Sequence, residues 1–167
     1  MIKRILAFAA VLVLTPFESF ASSGSSPIVG SWNCKNESDG VTFESTDTFS
    51  RNNTLYSSGL IEIDLPDTEY NVVYSFSLSG KWKMLPGNIL ESSGDLSIEN
   101  ISSAADMTPE QVSRLRLEFD KIISPETLVK AMSKGSYDQV RFSGQDRFLS
   151  LTEGDKDWSN ATTCVRN

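Results

Sequence analysis

The segment from Val72 to Met84 constrains the fold of this chain more than any other part of the sequence. Its residues alternate strictly in character, and alternate positions carry larger apolar side chains at Val72, Tyr74, Phe76, Leu78, Trp82 and Met84. The intervening positions are mostly serine and lysine. Because successive side chains of a β-strand point to opposite faces, this pattern predicts a strand with one buried and one solvent face. Such strands are typical of antiparallel sheets.

Strand-like patterning extends over most of the chain. Further short segments with this character are Ile28–Cys34, Val41–Ser50, Thr54–Leu65, Ile89–Ser92, Leu96–Ile101, Tyr137–Phe142, Arg147–Leu151 and Thr162–Val165. Asn52 and Asn53 predict a tight hairpin turn, because asparagine tolerates left-handed backbone geometry. Pro86, Gly87 and Asn88 predict another turn. The chain is therefore expected to form about eight or nine strands with hairpin-type connections.

One region, near residues 108–134, has helical patterning instead. Thr108 is a capping residue, Pro109 suits the first helical position, and Gln111 can complete a capping box. An apolar stripe with helical spacing follows at Val112, Leu115, Phe119 and Ile122. A second start at Ser124 and a stop at Gly135 predict another, shorter helix. The sequence thus predicts a two-helix insertion near residues 108–134.

The amino terminus has the pattern of a secretory signal. Lys3 and Arg4 precede a short apolar stretch, and the small residues Ser19 and Ala21 mark a cleavage site. The apolar stretch is about half as long as a membrane-spanning helix. We therefore expect a signal peptide at residues 1–21, a flexible leader at 22–27, and a single domain at 28–167. The mature protein is expected to be periplasmic or secreted, without insertion into the membrane.

Cys34 and Cys164 are the two cysteines of the chain. Export would place them in an oxidising compartment, where pairing is the simplest outcome. A disulfide requires the two Cα atoms to lie within about 7 Å, so the first and last strands would be neighbours. This closure favours a mainly β fold, an antiparallel up-and-down barrel of about eight strands, and leaves a two-sheet sandwich as the alternative.

The sequence Gly30-Ser31-Trp32 at the start of the first predicted strand resembles the Gly-x-Trp signature of lipocalins and bacterial lipocalin-like proteins. Residues 49–56 and 79–83 also resemble hairpin and strand patterns of that group. The resemblance implies a calyx-shaped barrel that admits a small apolar molecule, and it transfers no catalytic residue. The predicted helices precede the last strands here, whereas the usual lipocalin helix follows the eighth strand.

Composition excludes several kinds of chemistry. The chain has no histidine, which is the commonest general base and metal ligand, and its cysteines are expected to be paired. No phosphate-binding loop or serine-hydrolase motif is present. The net charge of −7 disfavours nucleic acid and anionic membrane surfaces as partners. We therefore predict no catalytic residue, no enzyme activity, no cofactor and no metal site.

The acidic run beginning at Asp155 superficially resembles the start of a calcium-binding loop. Its sixth position is Asn160 where glycine is needed, and its twelfth is Arg166 where glutamate is needed. We predict a solvated acidic turn instead.

Two functions remain open. The first is a lipocalin-like protein that binds a small apolar ligand in its barrel, with ligand contacts predicted at Trp32, Phe43, Tyr74, Phe76 and Trp82. The second is a protein-interaction module of the cell envelope, or an inhibitor of a secreted enzyme. A hollow barrel would favour the first function, whereas a filled barrel with an exposed apolar patch would favour the second.

Overall fold

The part of the chain that the structure describes forms a closed antiparallel barrel of eight strands. The computed structural model describes residues 26–38, 40–64, 71–100, 108–122 and 135–167, together with Glu126 and Val129. The predicted signal peptide and most of the leader lie outside these residues. The elements in chain order are β1 (Gly30–Ser38), β2 (Val41–Phe49), β3 (Thr54–Asp64), β4 (Asn71–Leu85), β5 (Ile89–Asn100), α1 (Pro109–Ile122), β6 (Ser136–Phe142), β7 (Arg147–Thr152), a short 3₁₀ turn (Trp158–Asn160) and β8 (Thr162–Arg166).

Each strand pairs with the next one along the chain, and β8 pairs with β1 to close the barrel. Cys34 and Cys164 are direct register partners at this seam, and their sulfurs form a disulfide. Their Cα atoms are 4.0 Å apart, within the predicted limit. The predicted up-and-down barrel and the disulfide are confirmed, and the alternative sandwich is wrong.

The predicted separation of Ile89–Ser92 from Leu96–Ile101 is wrong, because β5 is one continuous strand. It pairs with β4 from Ile89 to Asn100. Gly94 lies directly opposite Gly80 in this ladder, and a Cβ atom at Gly80 would overlap the backbone of β5. The two glycines allow the strands to approach closely at this point without interrupting their pairing.

Both predicted turns are confirmed. Asn53 has a positive φ of 65°, and the Asn52 side-chain oxygen accepts a hydrogen bond of 3.2 Å from the Thr54 amide. Gly87 and Asn88 also have positive φ values, 83° and 58°. The left-handed backbone that these residue types tolerate is the one that each hairpin adopts.

The predicted capping box begins α1. The Gln111 amide donates to Thr108 Oγ1 at 3.3 Å, and the Thr108 amide donates to Gln111 Oε1 at 2.9 Å. The two-helix insertion needs correction, since the described residues contain one α-helix. The second predicted helix falls on residues that are mostly outside the description; of these only Glu126 and Val129 are described. Within the described chain, no helix has the length and apolar character to cross a bilayer.

The described residues of the barrel interior form two separate apolar clusters. The first contains Ile28, Trp32, Cys34, Phe49, Leu55, Trp82, Leu90, Val140, Phe148 and Cys164. The second contains Ile61, Val72, Tyr74 and Phe76, and Phe43 packs against it. The predicted inward face of the Val72–Met84 alternation is therefore confirmed at its buried positions.

Trp32 anchors the first cluster. Its indole N–H donates to the Ile28 carbonyl at 2.7 Å, and its ring meets Phe148 edge-on at 4.7 Å. The Arg166 guanidinium lies 4.2 Å from the centre of the Trp32 ring. The same guanidinium donates to the carbonyls of Pro27 and Val29, so the start of the described chain is fastened to the last strand.

A candidate binding cavity inside the barrel

A cavity of about 540 Å³ lies between the two apolar clusters. Its wall includes residues from β2 through β8. Exposed residues at its edge, Ser93, Tyr137 and Glu153, connect it with the protein surface. The volume falls within the range of small-molecule sites, about 300–1,000 Å³.

One part of the cavity wall is apolar. Phe43 of β2 and Phe76 of β4 are stacked, with ring centres 5.2 Å apart and planes inclined by 21°. Leu78 and Leu96 extend this surface on β4 and β5. Alternation along each strand places these side chains inside the barrel, where they can bury the apolar part of a ligand.

A second part of the wall carries two carboxylates. Asp47 lies on β2 in phase with Phe43 and Phe49, and Asp138 lies on β6 in phase with Val140. Both acids are partly buried. They are surrounded by hydroxyl groups that also line the cavity, from Ser57, Ser92, Ser136, Ser150, Thr152 and Thr162.

Asp47 is hydrogen-bonded by Ser57, its register partner on β3. The Ser57 hydroxyl donates to Asp47 Oδ1 at 2.5 Å. Burial raises the pKa of Asp47 above its ordinary value, and the Ser57 hydrogen bond partly opposes this. Ser45, which is only 7% exposed, lies near enough to favour the charged form of Asp47. Even so, Ser45 Oγ makes no hydrogen bond of normal distance and angle among the described residues.

Asp138 has a similar environment. Burial is the main cause that raises its pKa, and nearby hydroxyls of Thr152, Ser136 and Ser150 oppose it. The negative charge of Asp47 raises the pKa of Asp138 further, so the two acids influence each other. The Ser136 hydroxyl also lies 2.7 Å from that of Ser92, which links the Asp138 side of the cavity to β5.

The charged residues of the described cavity wall are all acidic. Asp47 and Asp138 lie within the cavity, Glu153 lies at its edge, and the described wall includes neither lysine nor arginine. The cavity therefore combines an apolar aromatic wall with a wall of carboxylates and hydroxyls.

The geometry does not provide a metal-binding set around Asp47. Among the described residues, one group brings three potential ligand atoms within 4.8 Å of one another, and it consists of Cys34, Asp47 and Cys164. Both sulfurs are bonded in the disulfide, which leaves Asp47 as the single free ligand.

The acidic run near residue 155 forms self-contained turns. Asp155 accepts a hydrogen bond from the Asp157 amide, and Asp157 accepts one from the Ser159 amide, both at 2.9 Å. The Asn160 side chain also donates to Asp155 at 3.3 Å. These bonds lower the pKa of both aspartates, and they engage carboxylate oxygens within the loop itself.

The five residues predicted to contact a ligand occupy different places. Phe43 and Phe76 line the cavity, whereas Trp32, Tyr74 and Trp82 are buried in the clusters and are not part of its described wall. The Trp82 indole N–H donates to the Ser50 carbonyl at 3.1 Å, so this polar group holds the hairpin. A ligand contact at any of the five remains a prediction.

Sequence reasoning missed Asp47 and Asp138. The strand alternation could have identified both residues. Asp47 is two residues from Phe49 and Asp138 is two residues from Val140, so each carboxylate points to the same inner face as its apolar neighbour.

A search of protein-family models finds no match to this chain, and no curated protein matches it significantly.

Proposed function

We propose that this protein is an exported, lipocalin-like binding protein that holds a small molecule with an apolar part in its barrel cavity. The observation that carries this proposal is the cavity of about 540 Å³ with the stacked Phe43 and Phe76 rings in its wall. The closed antiparallel barrel is consistent with the lipocalin-like fold. Export is supported by the signal-like amino terminus and the Cys34–Cys164 disulfide.

The hollow interior favours a binding barrel over the alternative of a protein-interaction module or an inhibitor of a secreted enzyme. That alternative predicts a filled barrel and a contiguous apolar surface patch. Among the described residues, the large exposed apolar side chains are spread over four elements, at Tyr56 and Leu60 on β3, Leu117 on α1, Tyr137 on β6 and Val165 on β8. The proposal is for binding without catalysis, so turnover of a bound ligand would contradict it.

Native mass spectrometry of protein purified from its own host tests both parts of the proposal. A chain that begins at or near Ser22 and retains a small molecule is the expected result. A mature chain that still contains Lys3 would contradict export.

A fluorescence titration with the neutral apolar probe N-phenyl-1-naphthylamine tests the cavity itself. Leu78→Trp should weaken probe binding by about tenfold or more, because the indole would occupy space in the cavity. Tyr56→Trp is the matched control, since it introduces the same side chain on the exposed face of β3. Equal binding by the parent and both variants would contradict a ligand site inside the barrel.

A further inference from the structure

We propose that the ligand of this cavity is a cationic amphiphile, whose protonated amine lies beside Asp47 and Asp138 and whose apolar part lies against Phe43 and Phe76. This inference rests on the proposed binding function and names the chemical class of the ligand. It goes beyond the small apolar molecule expected from the sequence, because that expectation did not include a charged group.

The distribution of charge carries the inference. Two partly buried carboxylates face one cavity, and the charge of one is felt by the other. Removing carboxylates from water is unfavourable unless they are paired with positive charge or hydrogen-bond donors. The described wall supplies hydroxyl donors but no cation. A bound ammonium group would supply the missing positive charge and up to three N–H donors.

Ser45 lies beside Asp47 on the inward face of β2. Its side chain is more than nine-tenths buried, and its hydroxyl makes no well-formed hydrogen bond within the described chain. The alternation of β2 directs it inward between Phe43 and Asp47. Ser45 is not among the residues of the described cavity wall, so its hydroxyl can act on a ligand through Asp47, whose charged form it favours.

Other ligand classes fit the cavity less well. A fatty acid or another anion would place its charge against Asp47, Asp138 and Glu153 without any positive partner. A neutral apolar molecule would leave both carboxylates without a counter-charge. A metal ion would lack ligands near Asp47, because the adjacent sulfurs are bonded to each other.

The raised pKa values of Asp47 and Asp138 agree with this assignment. A nearby cation favours the charged form of a carboxylate, so binding an amine should lower both pKa values. By linkage, amine affinity should decrease as pH falls through the raised pKa values, because protonated carboxyl groups no longer attract the cation.

Three probes with the same carbon skeleton test the head group: 4-phenylbutylamine, 4-phenylbutan-1-ol and 4-phenylbutyrate. Each is titrated against the intact protein at pH 7, with displacement of N-phenyl-1-naphthylamine as the measurement. The amine should bind about tenfold or more tightly than the alcohol, since hydrogen bonds to charged groups contribute more than neutral ones. The carboxylate should bind most weakly.

Asp47→Asn and Asp138→Asn should each reduce the ratio of amine affinity to alcohol affinity, and because both probes are measured on the same variant, this ratio corrects for any change in general binding. Asp95→Asn is the matched control, because it removes the same charge from the exposed face of β5. The control accounts for general attraction of amines to an acidic protein, and it should leave the preference unchanged.

The possible failures are distinguishable. If the neutral probe binds equally to the parent and to Leu78→Trp, the proposed function is wrong. If the neutral probe binds inside the barrel but the three head groups bind alike, the cavity binds ligands and the inference about the amine is wrong. An amine preference that survives both aspartate substitutions, or that disappears equally in Asp95→Asn, would also overturn it.

Discussion

The Asp47 carboxylate lies within 4.8 Å of the Cys164 sulfur, so the disulfide that closes the barrel also borders the acidic part of its cavity. Cys164 lies on β8, and its side chain faces the interior, where it is buried and lines the cavity. The covalent closure and the candidate ligand site therefore share one part of the wall.

Loss of the disulfide should destabilise the barrel substantially. Replacing Cys34 and Cys164 together by serine should lower the free energy of unfolding by about 4–5 kcal/mol, because the bond closes a long loop in the unfolded chain. Urea denaturation measures this change. The parent protein in reductant should approach the stability of the double variant, which should itself be insensitive to reductant. Unchanged stability after both treatments would contradict the prediction.

The two cavity aspartates should make stability depend on pH. Their pKa values in the folded protein are raised from the ordinary 3.8, so the folded state binds these protons more tightly than the unfolded chain does. Their contribution to the free energy of unfolding therefore decreases as the pH rises from 3.8 through the raised pKa values. Over the same pH range, Asp138→Asn should become more stable relative to the parent, because asparagine does not titrate and the variant therefore does not lose this contribution.

Urea denaturation at a series of pH values measures that difference, and Asp95→Asn again serves as the control. The exposed Asp95 should show no comparable dependence. A stability difference between Asp138→Asn and the parent that is constant with pH would show that burial does not perturb Asp138.

Gly80→Ala should weaken the contact between β4 and β5. An added Cβ atom would overlap the Ser93 carbonyl oxygen and lie close to Gly94. The backbones would have to separate, at a cost of about 1–3 kcal/mol in the free energy of unfolding. Ser79→Ala, on the opposite face of the same strand, is the control. Equal denaturation midpoints for the two variants would argue against the close approach at Gly80.

Arg166→Gln should destabilise the end of the barrel that contains Trp32. The guanidinium donates to the carbonyls of Pro27, Val29 and Gln145 and lies over the Trp32 ring. Loss of these contacts should reduce the free energy of unfolding by about 2–3 kcal/mol. Arg147→Gln removes an exposed arginine from β7 and should have little effect. Denaturation followed by tryptophan fluorescence compares the two variants.

Features that depend on neighbours in the sequence were predictable. The capping box joins Thr108 to Gln111, and the turn at Asn52 and Asn53 follows from the conformational freedom of asparagine. The alternation from Val72 to Met84 gives the inner face of β4 directly. The pairing of Cys34 with Cys164 required one further step, because it depended on the expectation that the chain is exported.

The acidic part of the cavity depends on strand register, which the sequence does not specify. Asp47 and Asp138 lie far apart along the chain, and a carboxylate in a strand is usually taken to face solvent. The continuity of β5 was missed for a similar reason. Ser93 and Gly94 resemble a break in a strand, and their role becomes visible only when Gly94 is placed opposite Gly80.

The separation of the apolar interior into two clusters has a consequence for how the barrel can move. Trp32 and the disulfide belong to one cluster, whereas Phe76 belongs to the other, with polar groups between them. Proteins unfold locally in units that differ in their free energy of opening. Because the interior is divided into two clusters, the two parts of the barrel can differ in this free energy. The end that carries the disulfide is then expected to open less readily than the Phe76 end. Amide hydrogen exchange should therefore be slower around Trp32 than around Phe76.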